Sequence, residues 1–207
     1  MIGMTFRVSE VESFRQWRDD EAADLELLLA RMRGQTEASE AMLAGTAFHK
    51  ALEVAQPGEA ATLQALGYTF NIAGDFELAL PVIREVRASK AYTVDDSTVL
   101  VSGQLDAIEG KRVEDHKTTG RFDPERYLGG YQWRLYLEIF GANHFRWNVF
   151  EIAATDEPLT WDVFAAHRLE QYRYPGMGAD CERLVADLAR FAREHLPERV
   201  RSLACAA

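Results

Sequence analysis

Asp106, Asp115 and Lys117 fall within residues 103–117, Gly-Gln-Leu-Asp-Ala-Ile-Glu-Gly-Lys-Arg-Val-Glu-Asp-His-Lys. The segment reads as a strand ending at Asp106, a tight turn at Glu109-Gly110, and a second strand carrying Asp-x-Lys. Two carboxylates and one ammonium then share a hairpin. Clustered carboxylate oxygens suit a hard divalent cation, and a nearby ammonium orients a nucleophilic water. The chemistry these residue types suggest is metal-dependent hydrolysis of a DNA phosphodiester.

Asp-x-Lys is not specific by itself. With 33 acidic residues among 207 and four lysines, ordinary mixing places an acid two positions before a lysine about 0.6 times per chain. Its setting adds weight. The two-residue period of a strand puts Asp115 and Lys117 on one side, and the turn brings Asp106 beside Asp115. The chain also uses 19 arginines against four lysines, so a lysine here stands out. A compact ammonium sits closer to a water or a scissile phosphate than a guanidinium does. The structural alternative is a surface hairpin with an exposed cross-strand ion pair.

Two further pairs have helical spacing. His49 and Glu53 lie four residues apart beside an apolar stripe, and Gln132 and Tyr136 repeat that spacing downstream. Taken alone, His49 reads sooner as a capped or core histidine than as a ligand, and Gln132 with Tyr136 sooner as an amide and a phenol at a core edge.

The elements that must position these residues follow from periodicity. Residues 9–33 read as one helix with Ser9 as N-cap, ended by Gly34, and a second helix starts at Ser39 and is stopped by Pro57-Gly58. From Tyr68 the texture turns to strands: 68–72, then 80–94 broken or bent near Ala88-Ser89, then 98–106 and 111–117. These read as consecutive antiparallel strands. A loop over 120–130 leads to a helix over 131–140 closed by Gly141. A strand follows over 145–152 with Phe145, Trp147 and Val149 on one face. Residues 155–158 turn into a strand within 159–169, and an amphipathic helix over 180–195 closes the chain. Tyr172, Arg173 and Tyr174 read as core and scaffold or as the wall of a DNA channel. The order predicts an α/β fold with a mixed central sheet.

Composition bounds the rest. A hydrophobic fraction of 47% in 207 residues suits one globular domain. No apolar run is long enough to span a membrane and no secretion pattern opens the chain, so no membrane partner and a cytoplasmic location are expected. Cys181 and Cys205 are the two cysteines, too few for an iron-sulfur cluster or a cysteine zinc site. The net charge of -10 opposes DNA binding unless a basic groove coexists with an acidic exterior.

In order, Gly-x-x-x-His (Gly45, His49), Gly-x-x-Asp (Gly103, Asp106), Asp-x-Lys (Asp115, Lys117) and Gln-x-x-x-Tyr (Gln132, Tyr136) resemble the motifs of the RecB-type branch of the PD-(D/E)XK nuclease superfamily, in particular RecE-like phage and prophage exonucleases. The resemblance implies a restriction-endonuclease-like core over residues 1–207. Residues 1–56 would form a helical part with His49, 68–153 the catalytic sheet and Gln-x-x-x-Tyr helix, and 159–207 a closing strand and helix. It implies Mg²⁺ or Mn²⁺ held by His49, Asp106, Asp115 and the backbone carbonyl of His116, with Lys117 activating water. Gln132 and Tyr136 would contact the substrate strand or steady the lysine, and Thr118 and Thr119 would donate to a phosphate. Glu53 and Glu85 are weaker candidates, for a second metal or for surface pairing. The implied partners are linear duplex ends or single strands of DNA, a single-strand annealing protein and further copies of the chain in a ring, in a bacterial or phage-infected cytoplasm. The implied activity is that of an exonuclease. An endonuclease on the same fold and a non-catalytic DNA-binding or assembly module are the alternatives.

Overall fold

The computed structural model describes residues 2–55, 61–76 and 83–202. The chain opens with β1 (Ile2–Arg7), which runs directly into α1 (Val8–Asp19), followed by α2 (Leu25–Met32) and α3 (Glu40–Val54). Strands β2 (Thr62–Ala65), β3 (Tyr68–Ile72), β4 (Ile83–Val94), β5 (Ser97–Glu109) and β6 (Arg112–Thr119) come next. Short α4 (Glu125–Leu128) and α5 (Gln132–Phe140) lead to β7 (His144–Ala154), β8 (Thr160–Tyr172), α6 (Met177–His195) and a two-residue β9 (Arg201–Ser202).

All nine described strands belong to one mixed sheet. On one side of β6 lies β7, parallel to it, then antiparallel β8, parallel β3 and antiparallel β2. On the other side is β5, which pairs along its length with antiparallel β4. Because β4 occupies one edge of β5, the opposite edge is shared: β1 pairs with residues 97–102 and β6 with residues 107–109. Residues 103–106 pair with neither. This notch in the middle of the sheet holds Asp106.

Two apolar cores cover the two faces. Phe145, Trp147 and Val149 share the larger core with residues of α1, α5 and α6, while Phe150 and Ile152 enter a second core with Phe48, Ala51 and Leu52 of α3. That division follows the two-residue period of β7. On β6 the same alternation puts Asp115 with core residue Val113 on the α5 side and sends Thr118 toward α3, where a Cβ on Gly45 would stand 2.8 Å from Thr118 Oγ1.

Several expectations need correction. Ser9 is not an N-cap: the helix begins at Val8, Arg7 holds the cap position, and the Arg7 N–H donates to Glu10 Oε2 at 2.7 Å. The run 9–33 is two helices, because Asp24 caps α2 by accepting from Glu26 N at 2.8 Å. Strands β1 and β2 were not expected. β3 does not join the consecutive antiparallel run, which is β4-β5-β6 alone. β4 passes unbroken through Ala88 and Ser89, and its irregularity is Glu85, whose φ of 56° interrupts the pairing between Arg84 and Val86. The loop over 120–130 contains α4, while β8 and α6 extend beyond their expected bounds. Pro57-Gly58, residues 80–82 and Cys205 lie outside the described residues. No helix among those described is long and apolar enough to cross a membrane.

Candidate active site

The hairpin places the acids as its sequence requires. Gly110, at φ 60°, makes the turn, and the pairs Glu109–Arg112, Ile108–Val113 and Ala107–Glu114 zip β5 to β6. One position further, at Asp106 and Asp115, the strands part. Asp106 Oδ2 accepts the His116 backbone N–H at 2.5 Å, so a side chain satisfies a donor that the ladder has abandoned. Across the notch, Tyr136 of α5 donates its hydroxyl to the Gln104 carbonyl at 2.8 Å. The broken edge of β5 is thus closed by side chains.

His49 reaches the notch from the α3 side. Phe48, fully buried and edge-on to Phe70 and Phe150 at 5.1 and 5.0 Å, pins that helix, and burying such a ring contributes about 1.5–3 kcal/mol. Arg84 ties the helix end to β4 by donating to the carbonyls of Leu52 (2.6 Å) and Ala55 (3.0 Å). His49 Nδ1 then lies 3.2 Å from Asp106 Oδ1. Gln132 arrives from the α5 side and donates from Nε2 to Asp115 Oδ1 at 3.3 Å. The Lys117 ammonium rests on Asp115 Oδ2, a buried oxygen with no well-directed hydrogen bond.

Electrostatics separates the two carboxylates. Burial pushes Asp106 up, but the His49 hydrogen bond and the charges of His49, His116 and Lys117 outweigh it and hold the carboxyl at about 2. Asp115 moves the other way: burial raises it, and Asp106 adds to the rise against the pull of Lys117. Lys117 is half-buried, and its partial desolvation favours the neutral amine, yet Asp115 and Asp106 keep it charged and raise its pKa. Burial lowers the His116 imidazole to about 4. Two carboxylates that repel one another, one of them buried, gain from an added cation.

The donor set fits a hard divalent ion in kind, with two carboxylates, a backbone carbonyl and one imidazole. Among the described residues, no three His, Cys, Asp or Glu side chains converge on one point. His49 and Asp106 hydrogen-bond to each other, while Asp115 is turned to Lys117 and Gln132. Beyond its contact with the Lys117 ammonium, the buried Asp115 Oδ2 has lone-pair capacity left for a cation.

His49, Asp106, Asp115, Lys117, Gln132 and Tyr136 therefore meet at the notch. The remaining candidates are placed less centrally. Glu53 pairs with Lys50 at 2.6 Å, and Glu85 takes the Gln104 amide; both line the same cleft of about 440 Å³ as His49 and Asp106. Thr118 packs on Gly45, and Thr119 closes a local turn by donating to Arg121 O at 2.8 Å and accepting from Arg121 N. Arg173 is scaffold, donating to the carbonyls of Ala142 and Leu137 and to Glu138.

Gln104 was missed by sequence reasoning. It borders both the His49 cleft and a second cleft of about 710 Å³ that includes Arg7, Arg87, Ser9 and Tyr136. Its signal was available, since it precedes Asp106 by the two-residue strand period. Arg87 Nε donates to Gln104 Oε1 at 2.6 Å.

No family model and no curated protein matches the sequence. Among solved structures, SSO0001 superposes with a TM-score of 0.52 at 19% identity, over 90% of this chain and 76% of that one. LHK-Exo, an alkaline exonuclease from Laribacter hongkongensis, gives 0.47 at 17% identity, over 92% and 89% of the two chains. Its complex with dAMP gives 0.42 at 18%, over 91% and 88%. The likeness lies in the fold, an α/β architecture of the restriction-endonuclease-like kind with a central mixed sheet flanked by helices.

Proposed function

We propose that the chain is a metal-dependent deoxyribonuclease of the PD-(D/E)XK type, acting as an exonuclease on DNA. The observation that carries this reading is the sheet notch, where Asp106 holds the His116 N–H, the Lys117 ammonium rests on Asp115, and the two carboxylates act on each other through their charges. Mg²⁺ or Mn²⁺ held by His49, Asp106, Asp115 and the His116 carbonyl would polarise the phosphate and lower the pKa of a bound water. Lys117 orients the attacking water and steadies its developing hydroxide. Gln132 holds Asp115 in place, and Tyr136 fixes the β5 edge that presents Asp106. Water oxygen bonds to phosphorus and releases a proton to solvent as the bond to the leaving ester oxygen breaks, and the leaving oxygen takes up a proton from solvent.

The net charge of -10 is offset locally. The cleft beside the notch has Arg7, Arg87 and the hydroxyls of Ser9, Ser89 and Ser102 on its wall, with no acidic residue among the described residues that line it. Arginines and hydroxyls are the groups that contact backbone phosphates, so this cleft supports a strand path leading to the notch. A single domain over residues 1–207, DNA ends as substrate, association with a single-strand annealing protein and assembly into a ring belong to the same proposal.

A covalently closed circle and its linear form, each incubated with the protein and Mn²⁺, test it. Nucleotide release from the linear form with the circle intact is expected. Nicking of the circle would make the enzyme an endonuclease, and inertness toward both forms would leave the fold without this activity.

A further inference from the structure

Helix α5 carries Gln132 and Tyr136, but it does not cap itself. Its N-cap residue, Tyr131, has αR geometry and no side-chain cap. The first N–H groups of a helix have no partner within it and need an outside acceptor. Here the acceptor comes from α1: Glu12 Oε2 takes the N–H of Tyr131 at 2.7 Å and of Gln132 at 3.2 Å. The other oxygen, Oε1, is gripped by Arg15 through Nε (3.0 Å) and Nη2 (2.7 Å), and Arg15 is braced in turn on Asp19 at 3.2 Å. Glu12 and Arg15 are both largely buried, with side chains 13% and 18% exposed.

A second observation agrees. A Cβ on Gly130 would stand 3.2 Å from Glu12 Oε1, so the loop before α5 is bare where the carboxylate approaches. A carboxylate at this end also opposes the positive pole of the helix.

The consequence reaches the notch. Gln132 meets Asp115 at 3.3 Å, near the long limit of a hydrogen bond, so a shift of a few tenths of an ångström along the helix axis breaks it. One turn on, Tyr136 holds the Gln104 carbonyl. We infer that Glu12, oriented by Arg15, is a positioning residue for the reaction centre: it sets the axial placement of α5 from which Gln132 reaches Asp115 and Tyr136 reaches β5. Its kinetic consequence rests on the nuclease reading above, whereas the capping itself does not.

The test compares Glu12→Ala, Glu12→Gln and Gln132→Ala in the full chain. Amide hydrogen exchange at Tyr131 and Gln132 should quicken about tenfold or more in Glu12→Ala and much less in Glu12→Gln, whose carbonyl still accepts. With Mn²⁺ and linear duplex, Glu12→Ala should lower kcat about tenfold with KM within about twofold, Glu12→Gln should restore most of the loss, and the effect should shrink in the Gln132→Ala background, where only the Tyr136 contact is left to disturb. If Glu12→Ala does not fold, Arg15→Met keeps the carboxylate but frees it, and should give the same pattern more weakly. Unchanged exchange at both amides, or an equal loss of kcat with and without Gln132, would overturn the inference. If the wild type were inert on DNA, the nuclease reading would fail, and faster exchange in Glu12→Ala would still establish the cap.

Discussion

Asp106 accepts the backbone N–H of His116 where β5 and β6 separate, so one carboxylate serves both the sheet and the proposed reaction centre. A ladder that stops inside a sheet leaves buried donors and acceptors unpaired, which costs about 1–3 kcal/mol for each group left so. Asp106 covers the donor on β6 and Tyr136 covers the Gln104 carbonyl on β5. The break is what allows His49 from one face and Gln132 from the other to approach neighbouring carboxylates.

Replacing Asp106 should therefore affect stability as well as activity. Asp106→Ala leaves the His116 N–H without an acceptor and is expected to lower unfolding stability by about 1–2 kcal/mol, less than the whole penalty because repulsion of Asp115 is relieved. Denaturant unfolding without added metal measures it. A variant as stable as the parent would show that the bond contributes nothing to the fold.

The motif glycines are explained by close approach. A Cβ on Gly103 would lie 2.7 Å from Tyr136 Cε1, and one on Gly45 2.8 Å from Thr118 Oγ1. Gly103→Ala should destabilise the protein by about 1–3 kcal/mol and should be relieved by Tyr136→Ala but not by Tyr136→Phe, since the ring is the obstacle. Gly45→Ala should be relieved by Thr118→Ala, and the double variant should keep the gain of about 1 kcal/mol that alanine has over glycine inside a helix. Thermal unfolding of the four combinations in each cycle reads the coupling.

Stability should also fall in acid through Glu138. Burial raises this carboxyl, but hydrogen bonds from Lys90 and Arg173, and then their charges, outweigh burial and leave it below its ordinary value of 4.5. A carboxyl depressed in the fold stabilises the protein above its unfolded pKa, and that contribution is lost as pH falls through the folded value. The stability difference between wild type and Glu138→Gln should be flat from pH 6 to about 5 and shrink below about 4.5. Urea unfolding across that range checks it, and a difference that grew in acid would contradict the assignment.

The central hairpin was legible because its signals are local. Gly110 marks the turn, Asp115 and Lys117 share the strand period, and Gly141 at φ 60° ends α5 as its position predicts. β1 was not legible, since six residues at the start of the chain reveal nothing of a parallel partner 95 positions away, as in Ile2 against Ser97. The pairing of β3 with β8 was hidden for the same reason. Asp24 did carry a readable cap signal that would have split the first helix. Glu12 carried none, because its partners are amides 119 and 120 residues further along the chain. Side chains that act locally are read from spacing, and those that close a gap between distant elements need the fold.

On the proposed reading, the notch hydrolyses DNA with a divalent ion held by its carboxylates. Cleavage of end-labelled linear duplex, measured against increasing Mn²⁺ for the wild type, Asp115→Asn and Lys117→Ala with Mn²⁺ affinity determined in parallel by calorimetry, tests it most directly. The wild type should cleave in proportion to bound metal, Asp115→Asn should lose both binding and cleavage, and Lys117→Ala should keep most of the binding while its rate falls by at least about a hundredfold. Full activity in both variants, or a wild type that neither binds Mn²⁺ nor cleaves, would contradict it.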